Sequence, residues 1–189
     1  MLDDLLEACR RNDLERVQSL VTADPTLLTR QATTGETPLL TALYHRSRET
    51  ASWLGSQSWP RTVFEAAAVN DADRLREILA ADPATADTYS VDGWAPLHLA
   101  AFFGSAEAAD LLLTHGADHR RIARNTVANT PLHAALAAKQ LPLVERLLNA
   151  GADPRVVCQG YTPLAIAESG GFDAGATLIR TALARGVTQ

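Results

Sequence analysis

The apolar positions of this chain come in short clusters set between polar residues and turn formers. Leu111, Leu112 and Leu113 make one cluster, and Leu147 and Leu148 another. Each suits the buried stripe of a short helix. Each is followed by a glycine, Gly116 or Gly151, fit for the left-handed residue that closes a helix. Upstream of the second cluster stands "TPLHAAL" (130–136), and a similar run, "TPLAIAE", occupies 162–168. Thr130 and Thr162 suit a helix N-cap, and the prolines after them suit the first helical turn. The small alanines suit a close approach of two helices. The predicted unit is therefore a helix, a tight turn, an antiparallel helix and an extended connection. One such pair cannot bury its own apolar face, so the pairs must stack.

One stretch strains this pattern. "GWAPLHLAAFFG" (93–104) places Phe102 and Phe103 side by side, with Trp94 shortly before them. Adjacent helical residues point about 100° apart, so both rings cannot share one narrow core stripe. One of them, or Trp94, must face something else.

The clusters recur. "LEACRRNDLERVQSLVTADP" (6–25) matches "FEAAAVNDADRLREILAADP" (64–83), pairing Glu7 with Glu65, Asn12 with Asn70 and Pro25 with Pro83. The same offset carries Gly35 to Gly93 and Pro38 to Pro96. A second family overlaps it: "TPLLTAL" (37–43), "APLHLAA" (95–101) and the two runs quoted above, with "LLLTHGAD" and "RLLNAGAD" after two of them. The ordered motif G-x-T-P-L-H-x-A-A followed by L-L-x-x-G-A-D resembles the ankyrin repeat over nearly the whole chain, in the manner of free-standing bacterial ankyrin proteins.

The resemblance implies an all-α ankyrin-repeat solenoid of about six helix pairs, near 3–30, 37–57, 63–86, 96–117, 131–152 and 163–186. It implies a single domain over 1–189, with an N-terminal cap repeat at 1–30 and a C-terminal cap repeat at 163–189. Repeats two and three are expected to be irregular. The standard period is about 33 residues, and Pro38 to Pro96 falls short of two periods. The loss lies near "GSQSWPRT" (55–62), so repeat two is expected to lack its hairpin finger. Pro96 to Pro131 runs slightly long, so the finger holding "HRRIARNTVAN" (119–129) is expected to be longer, with Ala128 at the usual glycine position.

Composition narrows the function. The net charge is -5, which argues against nucleic-acid binding by bulk electrostatics. Cys9 and Cys158 are too few for a disulfide framework. "MLDDLLEACRRND" opens with acid where a signal peptide carries base, and no apolar run reaches a membrane span of about 18 residues. A cytoplasmic, monomeric protein without membrane partner is expected. Lys139 is the single lysine among 17 basic residues, a bias common in GC-rich bacterial genomes.

No phosphate-binding loop, dinucleotide fingerprint, nucleophile elbow or zinc-protease motif occurs. His98 and His133, in "PLH", are implied by the resemblance to bond neighbouring loop backbone. His115 and His119 are separated by the helix-ending Gly116, and "SGGFDAG" (169–175) reads as a turn within a helix pair. The chain is thus expected to be no enzyme, with no metal and no cofactor.

Carrying the family pattern over by position gives the binding columns. The residue before Thr-Pro and the two after the alanine pair fall on the concave side by which ankyrin arrays bind. These are Trp94, Phe102 and Phe103 in repeat four, Tyr44 and His45 in repeat two, Arg11 in the cap and Tyr161 in repeat six. Ala68 and Val69 hold these places in repeat three, and Ala137 and Ala138 in repeat five, leaving a hollow beside the rings. The resemblance therefore implies a partner protein docked on an aromatic concave face. The alternative is a receptor for a small molecule or peptide end in a concave pocket. A secondary candidate is the long finger, where Arg120, Arg121 and Arg124 could clamp acidic groups, since arginine pairs bidentately with carboxylate and phosphate.

Overall fold

The structure, a computed structural model, describes residues 1–185. Among the described residues the regular elements are helices. The first pair is α1 (Leu2–Arg10) and α2 (Leu14–Ala23), the second α3 (Pro38–Tyr44) and α4 (Arg48–Ser56). The third is α5 (Val63–Ala68) and α6 (Ala72–Ala81), the fourth α7 (Pro96–Phe103) and α8 (Ala106–Thr114). The fifth is α9 (Pro131–Ala137) and α10 (Leu141–Asn149), the sixth α11 (Pro163–Ser169) and α12 (Asp173–Arg185). All six expected pairs are present. The tail of the expected C-terminal cap, 186–189, lies outside the described residues.

The chain divides into two compact units, Met1–Glu65 and Ala66–Gln189. In the first, α1 packs on α3 and α2 on α4. In the second, α7, α9 and α11 form one row, and α6, α8, α10 and α12 form another. The core lies between the rows. Leu112 is wholly buried on α8, as are Leu75 and Leu79 on α6 and Leu143 and Leu147 on α10. Alanines 100, 101, 134 and 135 are buried on α7 and α9, where small side chains let the first helices close up.

Local chemistry sets the ends of these helices. Pro38, Pro96, Pro131 and Pro163 each open a first helix. Thr37 and Thr162 accept from the N–H groups of Leu40 and Ala165 at 3.4 and 3.1 Å. Thr130 stands at the same place but makes no cap bond. The turn inside each pair passes through one left-handed residue: Asn12, Arg46, Asn70, Gly104, Lys139 and Gly171. At Gly104 the left-handed backbone, φ 81°, is what favours glycine, since a Cβ would meet only the movable end of the Gln140 side chain.

The two asparagines in this column explain their repetition in the sequence. Asn12 Oδ1 accepts the N–H of Thr50 at 3.2 Å, and Asn70 Oδ1 that of Ala108 at 3.0 Å. Each asparagine caps the second helix of the following pair, α4 or α8. The adjacent Ser47 and Ser105 hydroxyls donate to the carbonyls of Arg10 and Ala68. The "ADP" segments also have a local reason. Asp24 and Asp82 side chains accept from Thr26 and Ala84 N–H, capping 3-10 turns at Pro25–Thr29 and Pro83–Asp87.

Hairpin turns link successive pairs where the sequence places them. Ala32 N–H donates to Glu36 O, and Ser90 N–H to Trp94 O. In the next connection the matching bond runs from Ala123 to Asn129, two residues longer. Its Ala128 takes φ 42° where glycine stands at 35 and 93. Residues 57–62 join α4 to α5 with no hairpin bond of this kind among the described residues. A buried carboxylate occupies this junction. Glu65 Oε2 accepts the N–H of Thr62 at 3.0 Å, while Thr62 Oγ1 accepts the N–H of Glu65 at 3.2 Å, a capping box. Glu65 Oε1 takes the Thr37 hydroxyl at 2.8 Å.

Candidate functional site

Helix α7 decides the disposition of the aromatic residues. Its residues Pro96 to Ala101 are all buried. Only the last turn, ahead of left-handed Gly104, reaches the surface. Phe102 is 40% exposed and Phe103 is half-buried. Their rings meet edge to face, with centroids 5.1 Å apart and planes at 88°, a favourable quadrupole geometry. Phe103 thus packs against Phe102. Trp94 is half-buried, its ring 5.8 Å from the imidazole of His98. The 90–94 hairpin holds it, with Trp94 N–H donating to Ser90 Oγ at 2.9 Å. On α9 the equivalent last turn is small: Ala137 is exposed and Ala138 half-buried.

The two "PLH" histidines tie neighbouring pairs together. His98 Nε2 lies 2.9 Å from the carbonyl of Asn129, and His133 Nε2 3.2 Å from that of Tyr161. Carbonyl acceptors require the proton on Nε2 in both rings, leaving Nδ1 as an acceptor. His133 Nδ1 has the Thr130 hydroxyl at 2.8 Å. His98 Nδ1 is buried without a partner among the described residues, because Ala95 stands where threonine would be. Burial pushes His98 down to about 4 and lowers His133 as well. Both rings are neutral structural links. No group of three metal-ligating side chains occurs among the described residues. Cys9 is buried in the first unit, and burial pushes its thiol up to about 12.

A family model described as ankyrin repeats (3 copies) matches residues 5–123 and 63–158. The chain belongs to the ankyrin-repeat family. Members of this family are generally protein–protein interaction modules and typically non-catalytic. No curated protein matches the chain. The hairpins described above are the fingers of its ankyrin repeats. No helix among the described residues is long and apolar enough to cross a membrane.

The long finger of the fourth ankyrin repeat is built around a residue the sequence pattern did not single out, Tyr89. Arg121 and Arg124 lie over its ring at 4.7 and 4.1 Å. The Tyr89 hydroxyl donates to the Ile122 carbonyl at 2.8 Å. Arg121 also holds the Asp87 carboxylate and carbonyl, and the Asp87 bond raises its pKa. Arg120 turns back to Asp118 at 3.0 Å, and its backbone N–H, then its guanidinium, keep that carboxyl below its usual range. Of the expected arginine trio, Arg121 therefore fastens the finger, and Arg124 alone is exposed without a carboxylate in an ion pair among the described residues. Nothing in the spacing of Tyr89 distinguishes it; only the three-dimensional return of the finger brings it between two arginines.

Tyr161 is 57% exposed on the last finger. In the first unit, Tyr44 ends α3 half-buried, His45 follows it exposed, and Arg11 is exposed and paired with Glu7 at 2.6 Å. Ala68, expected in the surface column, is buried instead, and its carbonyl accepts the Ser105 hydroxyl of the next pair. A groove of about 630 Å³ opens elsewhere, between α10 and α12, lined by residues such as Leu148, Arg155 and Leu178. It shares no residue with the aromatic set.

Proposed function

We propose that this ankyrin-repeat protein is a non-catalytic module that docks another protein on its aromatic face. The face comprises Trp94, Phe102, Phe103 and Tyr161 of the second unit; in the first unit, taken by itself, Arg11, Tyr44 and His45 are the proposed partner-binding residues. The observation carrying this reading is Phe102, a large apolar side chain 40% exposed and braced by Phe103 at the end of an otherwise buried helix. Exposed, rigidly held aromatics are what protein-binding hot spots are made of. The reading further holds that the protein works as a cytoplasmic monomer without a cofactor.

The test separates binding from folding. Phe102→Ala is expected to leave thermal stability nearly unchanged, by about 0.5 kcal/mol or less. The same variant is expected to lose about thirtyfold in affinity for a partner captured by the wild-type protein. A variant that melts several degrees lower, or that binds the partner as well as wild type, sinks this assignment.

A further inference from the structure

The aromatic face of the second unit is bracketed by cations that the protein does not neutralise itself. Most cations of this unit are paired: Arg76, Arg121, Arg146 and Arg180 each hold a carboxylate. Arg124, Lys139 and Arg155 hold none in an ion pair among the described residues, in a chain whose net charge is -5. Arg155 lines the α10–α12 groove and reaches the Leu183 carbonyl, whereas Arg124 and Lys139 adjoin the aromatic set. Arg124 adjoins the Trp94 hairpin, its backbone N–H donating to the Gly93 carbonyl at 2.8 Å. Its guanidinium is stacked on Tyr89, which fixes its direction while leaving it exposed. Lys139 is exposed in the α9–α10 turn beside Phe102, whose carbonyl accepts from the next residue, Gln140, at 3.4 Å. The Lys139 stem passes over Gly170, where a Cβ would sit 4.0 Å from its Cε. Arg124 thus stands at the start of α7, beside Trp94, and the Lys139 turn at its end, beside Phe102 and the small residues Ala137 and Ala138.

Resting on the reading above, we infer that the docked segment is an acidic peptide stretch, with an apolar side chain seated by Phe102 and flanking carboxylates paired to Arg124 and Lys139. The apolar side chain supplies contact area, and the bracket supplies charge complementarity and register. Ion pairs of this exposed kind are individually weak, so the preference is moderate and sensitive to salt.

The test uses the intact isotope-labelled protein and two blocked synthetic peptides. One carries a central Leu-Phe pair between glutamates; its twin carries glutamines instead. The glutamate peptide is expected to shift the backbone amides of Phe102, Phe103, Arg124 and Lys139 saturably, binding about tenfold tighter than its twin at low salt. Arg124→Gln and Lys139→Gln are each expected to remove part of that preference, with unchanged melting curves. Equal binding of the twins at these residues overturns the acidic preference and leaves the aromatic reading standing. If neither peptide moves Phe102 or Phe103, both fall. Saturable binding of a short oligothymidylate with the same affinity also overturns the inference, because the face would then be capturing anions without regard to the peptide.

Discussion

His98 and His133 share one sequence context and differ in one neighbour. Thr130 gives His133 a hydroxyl, whereas Ala95 leaves His98 Nδ1 bare in the core. Ala95→Thr is expected to supply that donor and to raise stability by about 1 kcal/mol in urea unfolding. A loss of stability would mean that the Ala95 site has no room for the added atoms. The same ring makes stability depend on pH. Its folded pKa, about 4, lies below the ordinary value of 6.5. The unfolded chain therefore binds the proton more readily as pH falls between these values. The contribution is fully present above about pH 6.5 and shrinks by about 3 kcal/mol toward pH 4. Urea titrations of wild type and His98→Gln across that range should differ in slope; parallel curves would show that the ring is not held neutral. The structural role of both histidines was legible from "PLH". The buried vacancy of one hydrogen bond was not, because it depends on which atom of the ring faces the missing hydroxyl. Lys139 and Tyr89 were equally invisible as candidates, since their meaning lies in what they do or do not pair with in space.

At the scale of elements, Glu65 replaces a finger with a carboxylate. It closes the N-terminus of α5 and holds Thr37 of the preceding repeat, while itself only 2% exposed. Glu65→Ala removes the capping box and leaves the Thr37 hydroxyl without this bond. A loss of about 2–3 kcal/mol is expected, and Glu65→Gln should recover part of it through its amide oxygen. If Glu65→Ala unfolds at the wild-type urea concentration, the junction is held by other contacts. Leu112→Ala tests the stacking register in the same assay. It should cost about 2–5 kcal/mol, as for a wholly buried leucine. Helix pairs were readable because leucine stripes, Thr-Pro starts and closing glycines agree locally. The missing finger was readable from spacing alone. What fills its place was not, because Glu65 lies in a repeat of α1, where Glu7 at the matching position is only half-buried and pairs with Arg11 instead.

Across the whole molecule, the two units differ in the number of helix pairs they can stack. Stability in repeat proteins is close to a sum of neighbour terms. The unit Met1–Glu65 has α1 on α3 and α2 on α4, while the unit Ala66–Gln189 has longer rows on both sides. Amides of α1 to α4 are therefore expected to exchange with solvent faster than those of α7 to α10. Uniform protection from α1 to α10 would show that opening is a single event for the entire chain. The family and the helix rows followed from the repeat pattern, but the division after Glu65 did not. The spacing between prolines records how many residues are missing and says nothing about how tightly the neighbours cohere.

The asparagine caps give the array a direction. Asn12 and Asn70 precede α4 and α8 in the chain, and each supplies the acceptor that starts the later helix. During synthesis from the N-terminus, the earlier repeat has left the ribosome before the helix that needs its cap. The first and third repeats are thus templates laid down in advance, and growth from the other end would begin α8 or α4 before its starter has been made.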